Sequence, residues 1–242
     1  MGADIGWIDG RVLYEDNHLI AVAKPAGISS QEDASGDADM LSLLRQYLKE
    51  KYAKPGNVYL GLLHRLDRPT GGAMVFAKTS KAASRMSDAI RRRVLLKSYL
   101  AVTTAAPRKQ QGVLVHYLAK DRDTNTSAVF DTPGPGRKEA SLAYRVLDRH
   151  ADMALLGIRL DTGRSHQIRA QLAAAGCPVH GDGKYGGRQG STTCLGLWSV
   201  CLEFNHPVKD ERVVITSTPP QAHPWDKFAI PESLCLLPAP GV

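Results

Sequence analysis

Residues 60–79 read LGLLHRLDRPTGGAMVFAKT, and the reading of this stretch decides the rest. A short apolar run ends in His64-Arg65-Leu66-Asp67-Arg68, turns at Pro69-Thr70-Gly71-Gly72, and resumes as the strand-like Ala73-Met74-Val75-Phe76-Ala77. One carboxylate therefore stands among arginines and a histidine, on a loop between two buried elements. Loops held by a rigid scaffold are where chemistry tends to sit. Taken alone, Asp67 reads equally well as a turn former or a helix cap.

Working outward, Thr79 or Ser80 caps a helix through about Arg92, with Ala83, Met86, Ala89 and Ile90 facing inward. Its other side carries Lys81, Arg85, Arg91, Arg92 and Arg93 against Asp88, a lopsided charge that suits phosphate contacts. Upstream, Met40, Leu43, Leu44, Tyr47 and Leu48 recur at helical spacing over about 39–53, with Asp39 as N-cap and Lys54-Pro55-Gly56 as the stop. Before that helix, Val12-Leu13-Tyr14 and residues 18–23 read as strands around a turn at Glu15-Asp16-Asn17. Lys24-Pro25-Ala26-Gly27 ends the second of these, and Lys24 reads as a cation at a site lip or a solvated strand end.

Downstream, residues 95–103 read as a strand carrying Lys97 and Tyr99, and 113–118 with 127–130 as hairpin material. Residues 140–147 and 153–160 pair as a second hairpin, which delivers the chain into Asp161-Thr162-Gly163-Arg164-Ser165-His166-Gln167-Ile168-Arg169. There a helix starts, with Thr162 or Ser165 as cap, Ile168, Leu172 and Ala175 as the buried stripe, and Arg164 beside outward N–H groups that suit an anion. Arg169 lies near that stripe, where an unpaired guanidinium is costly, so it requires a carboxylate; Asp67 is a candidate. Strands near 195–204 and 212–217 and the segment 225–228 close the chain. Strands in antiparallel neighbours with only three helices predict an α+β fold, a large, mostly antiparallel mixed sheet with flanking helices. Without repeats or low-complexity linkers, residues 1–242 are expected to form one domain.

Composition narrows the function classes. Of 242 residues, 31 are Lys or Arg and 24 Asp or Glu, giving a net charge of +7 that favours a polyanionic partner. No signal peptide, myristoylation pattern or membrane span is present, so a cytoplasmic location is expected. Cys177, Cys194, Cys201 and Cys235 form no C-x-x-C and are expected to be reduced. His64, His166 and His180 with Asp67 or Asp182 lack metal-ligand spacing, and no metal is expected. Gly181-x-Gly183-x-x-Gly186 follows a helix rather than a strand, which rejects a dinucleotide fingerprint and leaves a tight loop. No G-x-S-x-G elbow or P-loop occurs. Glycosidases need two carboxylates. A single one suits a reaction at a sugar anomeric carbon in which the base is already a good enough leaving group, or one in which the leaving group never departs from the site.

Four blocks, in order, carry a resemblance to the RluA-type pseudouridine synthases. They are Lys24-Pro25-x-Gly27, then His64 to Gly72 with Phe76-Ala77-Lys78-Thr79, then Lys97-Ser98-Tyr99-Leu100-Ala101, and last Asp161 to Arg169 with Gly181-Asp182-x-x-Tyr185-Gly186. They span about residues 11–229 as a single catalytic domain, with no separate N-terminal RNA-binding domain. Departures are Pro69, Gly71 and Leu197-Trp198, where relatives commonly carry Asp, Ser and Leu-His-Ala.

The resemblance implies an RNA-modifying isomerase that flips a uridine from its stack and works without cofactor or metal. Asp67 would attack the ribose or assist elimination, Arg169 would pair with it, and Tyr99 would stack on the base. His64, Arg65, Arg68, Arg164, Ile168 and Lys24 would bind substrate. The expected partner is rRNA or tRNA; no membrane and no obligate protein partner are expected, and the chain is expected to be a monomer. Competing readings are a silent RNA-binding module, opposed by retention of Asp67, Tyr99 and Arg169, and a nucleosidase, opposed by the missing second carboxylate.

Overall fold

A computed structural model describes residues 5–186 and 195–235, which fall into two compact units. The first comprises residues 1–95 with 201–217, the second 96–200 with 218–242. Cys194 and Gly187 lie outside the described residues.

In the first unit, β1 (Val12–Glu15) and β2 (Leu19–Lys24) form the expected hairpin, and β2 pairs antiparallel with β4 (Gly71–Ala77) from Leu19↔Ala77 to Lys24↔Gly72. The short β3 (Gly61–Leu62) also pairs with β4, so the chain leaves the sheet at Leu62 and re-enters it at Gly71. Everything between is the Asp67 loop. Every residue of β4 is buried. A strand covered on both faces reads as a continuous apolar run rather than an alternating one, which explains Ala73-Met74-Val75-Phe76-Ala77.

Helix α1 (Met40–Lys51) starts where expected: the Asp39 side chain accepts from the Ser42 N–H, and all five stripe residues are buried. Helix α2 (Ser80–Arg91) is capped by Thr79, which accepts from the Ala82 N–H. Ala82 and Met86 enter the core with Leu19, Ala21, Val75, Leu202 and Phe204. A short 3-10 helix over Gly6–Arg11 precedes β1; six residues are too few to show a period.

In the second unit, β5 (Leu96–Thr103) pairs with β9 (Met153–Leu160), β9 with β8 (Lys138–His150), β8 with β6 (Gln111–Asp121), and β6 with β7 (Thr126–Phe130), all antiparallel. Strand β10 (Leu197–Asn205) begins in this unit and ends in the first, where it pairs with β11 (Arg212–Thr216). Helix α3 (Gln167–Ala174) is fastened to the sheet by Gln171, whose Nε2 donates to the Leu114 and Ala140 carbonyls. Leu100, Val102, Leu155, Trp198, Trp225 and Phe228 form a separate core. The α+β class and the antiparallel pattern match the sequence reading.

Two expectations need correction. Neither Thr162 nor Ser165 caps α3: the N-cap residue is His166, left-handed at φ 50°, with no side-chain cap bond. Thr162 is instead drawn to Gln167 further along. The cysteines are not all reduced: Cys201 and Cys235 are disulfide-bonded, while Cys177 is a free, buried thiol. Spacing hid this, because no short motif announces it.

Candidate active site

The Asp67 loop is held on both sides of its carboxylate. Ser30 clips the residue before it: the Ser30 hydroxyl donates to the Leu66 carbonyl at 2.7 Å and accepts the Leu66 N–H at 3.0 Å. The residue after it is held harder. Arg68 O accepts from the Gly27 N–H at 2.8 Å and from Lys24 Nζ at 3.1 Å, and Arg68 Nε donates back to Gly27 O. The turn closes through the Thr70 N–H on the Asp67 carbonyl. Gly27 adopts φ +93°, a conformation that L side chains rarely adopt, which is why glycine follows Lys24-Pro25-Ala26.

Lys24 does not stand at a lip. It is fully buried, and Nζ donates to the carbonyls of Pro25, Ile28 and Arg68. Neutral carbonyls do not repay the loss of water, so burial pushes its pKa down to about 7, with the charge of Asp67 opposing the fall and that of Arg68 adding to it. A buried group with every bond turned inward cannot touch substrate. Lys24 holds the loop instead.

The other expected substrate residues of this unit separate. Arg65 is exposed. Arg68 is also exposed, yet its guanidinium is committed to Asp37 at 2.6 Å and to Gly27 O, so it works largely as a strut. His64 is half-buried, and its Nε2 accepts from the Val75 N–H at 3.1 Å, which joins the loop entrance to β4.

In the second unit, Tyr99 is buried on β5 opposite Ile158, and β9 hands the chain to the 161–166 segment. A four-residue network fixes this segment. Thr162 Oγ1 donates to Gln167 Oε1 at 2.7 Å and accepts from the Ser141 N–H; the Arg164 N–H also reaches Gln167 Oε1, and Gln167 Nε2 returns to Ser141 O. Arg164 Nε is spent on the Glu139 carbonyl at 2.8 Å. Ile168 is buried in the helix, 4% exposed.

Arg169 has the carboxylate its burial demands. Within this unit it is Asp182, held by Nε at 2.7 Å and a second nitrogen at 2.8 Å, with the arginine 5% and the aspartate 0% exposed by side chain. The Arg169 guanidinium also lies over the Tyr185 ring, 5.3 Å from its centroid. Tyr185 accepts from the Ser127 N–H and meets His166 Nδ1 at 3.0 Å. The sequence signal for Asp182 existed: a buried arginine requires a carboxylate, and this one lies in the glycine-rich block close downstream. Ser30, Gln167 and Asp182 are the structural supports that the sequence reading missed.

The three histidines once considered as ligands are occupied separately: His64 by Val75, His166 by Tyr185, and His180 by His223 at 3.0 Å. Among the described residues no helix is long and apolar enough to cross a membrane.

Comparison with known proteins adds a family. Residues 18–174 match the family model described as RNA pseudouridylate synthase. The chain is 34% identical over 240 residues to a ribosomal large subunit pseudouridine synthase D of Xylella fastidiosa, covering 93% of this chain and 67% of that protein. It is 31% identical over 205 residues to an uncharacterized RNA pseudouridine synthase, YhcT, of Bacillus subtilis, covering 84% and 66%. A ribosomal large subunit pseudouridine synthase C of Rickettsia typhi is 30% identical over 179 residues, covering 74% and 57%. The chain thus spans between 57% and 67% of the length of these relatives. Among solved structures, human RNA Pseudouridylate Synthase Domain Containing 4 aligns with a TM-score of 0.75 at 23% identity, over 90% of this chain and 91% of that one, a likeness of fold.

Proposed function

We propose that this chain, which belongs to the RNA pseudouridylate synthase family, isomerises uridines in structured RNA to pseudouridine with Asp67 as nucleophile. The observation that carries this reading is the fastening of the Asp67 loop. Ser30, Gly27 and Lys24 fix the backbone immediately before and after one carboxylate, and that carboxylate stands in the family's motif. Preorganisation of this kind lets a nucleophile wait in its reactive geometry.

In this reading the target nucleotide is flipped out of its stack. Asp67 attacks the anomeric carbon or assists elimination across the sugar. The bond from the ribose carbon to N1 breaks, the uracil turns in place, and a bond to C5 forms. The proton on C5 is then removed and N1 ends protonated, so atoms and charge balance without a redox partner. Nothing in this net reaction requires a cofactor or a metal. Arg169 serves beside Asp67 as a catalytic residue, and Tyr99 stacks on the base. Arg65, exposed on the loop, takes the RNA backbone, with the basic face of α2 as a wider phosphate surface. The names of the relatives make large-subunit rRNA the first substrate to test and tRNA the second. The enzyme acts in the cytoplasm as a monomer with no obligate protein partner.

The test is to incubate the purified chain, with chelator and no added cofactor, with rRNA and tRNA transcripts and to map pseudouridine along them. Conversion at discrete uridines is expected. RNA binding with no conversion in any transcript would return the silent RNA-binding module.

A further inference from the structure

One cation close to Tyr99 has no task in the mechanism above. Lys97 precedes Tyr99 by two residues on β5, so both side chains leave the same face of the strand. Its register partner is Leu160, the last residue before the 161–166 segment. Nζ reaches that segment at Gly163, where an added Cβ would stand 3.2 Å from it. The bare Cα of Gly163 is what leaves room there.

Among the described residues nothing accepts a hydrogen bond from Nζ. The contrast with other lysines is plain: Lys24 meets carbonyls, Lys51 and Lys78 meet Glu15, and Lys209 meets Asp16. The carboxylate closest in sequence to Gly163, Asp161, is taken by the Ser141 hydroxyl at 3.0 Å and by Arg159. The Gly163 N–H likewise has no acceptor among the described residues, although the glycine itself is exposed. Desolvation alone pushes the Lys97 pKa down, with no counter-charge to restore it. A half-buried ammonium without a counter-ion destabilises the free protein, and an arriving anion recovers that cost.

We propose that Lys97 Nζ, beside the bare backbone of Gly163, is a subsite for a non-bridging phosphate oxygen of the RNA next to the target uridine. It takes over the role first assigned to Arg164, whose Nε is spent on Glu139 O. A compact ammonium suits a single phosphate oxygen as a point charge. This inference rests on the proposed RNA isomerase activity.

Three measurements test it, using an RNA in which the wild-type chain forms pseudouridine. Lys97→Met is expected to raise KM about tenfold with kcat within about twofold, the pattern of a lost ground-state contact. The salt slope of RNA binding should fall by roughly 0.7–0.9, one phosphate's worth, and Lys97→Arg should restore it. Methylphosphonates placed singly around the target should weaken wild-type binding at one position that is neutral in Lys97→Met. Melting separates function from folding, because removal of an uncompensated ammonium should leave Tm unchanged or higher. An unchanged KM and salt slope in Lys97→Met, or a loss confined to kcat that Lys97→Arg does not rescue, overturns the subsite. Absence of pseudouridine with wild-type protein instead removes the isomerase reading and this subsite with it.

Discussion

The two motif-bearing segments are both anchored by a buried cation, but by opposite means. Beside the Asp67 loop, Lys24 is caged by three neutral carbonyls. In the segment that ends at Arg169, the guanidinium is gripped by the Asp182 carboxylate through two bonds. A carbonyl cage satisfies hydrogen bonds but brings no counter-charge of its own, and the charge of Asp67 only partly opposes the effect of burial, so the lysine gives up its proton readily. A bidentate ion pair compensates both. The first design fixes backbone and is sensitive to pH; the second fixes a charge.

Breaking the ion pair should do the most damage. Asp182→Asn withdraws the buried partner of Arg169 and is expected to cost about 3–5 kcal/mol, read as a lower urea midpoint at constant slope. Lys24→Met leaves the carbonyls of Pro25, Ile28 and Arg68 without a donor, for roughly 2–3 kcal/mol at neutral pH. Its pH signature sharpens the comparison. The Lys24 pKa falls from 10.5 to about 7 on folding, so between those values the unfolded chain holds the extra proton. Wild-type stability should therefore rise with pH across that window, by up to about 1.4 kcal/mol per pH unit. Lys24→Met should show a much flatter profile; an unchanged one would mean the cage does not shift the lysine.

Smaller effects follow. Thr162→Val removes the hydroxyl that joins Ser141 to Gln167 and should cost about 1–2 kcal/mol, visible in thermal melts. Asp39→Ala lies outside both segments and loses only a helix cap, for about 1 kcal/mol. It should leave pseudouridine formation untouched, which makes it the control for stability loss alone.

Much of this was legible in the sequence, for identifiable reasons. Helix α1 declared itself because its stripe and its Asp39 cap are both local, and the β8–β9 hairpin because its partners are neighbours in the chain. The four ordered blocks located the Asp67 loop and the Arg169 segment. What sequence did not convey was where long side chains end. Lys24 at a strand end reads the same whether its ammonium meets solvent or three carbonyls. Arg169 required a carboxylate, and the sequence reading offered Asp67; that Asp182 grips it through two bonds emerges only from the fold. Thr162 is a good cap by type, yet Gln167 and Ser141 outbid the helix end for its hydroxyl. The disulfide-bonded state of Cys201 and Cys235 had no local signature at all.

The central claim is that the fastened loop presents Asp67 as a nucleophile. The direct measurement is single-turnover pseudouridine formation by Asp67→Ala beside its RNA affinity. Formation is expected to fall to background while affinity stays within about threefold, or about 0.7 kcal/mol. Isomerisation by Asp67→Ala at the wild-type rate would contradict it.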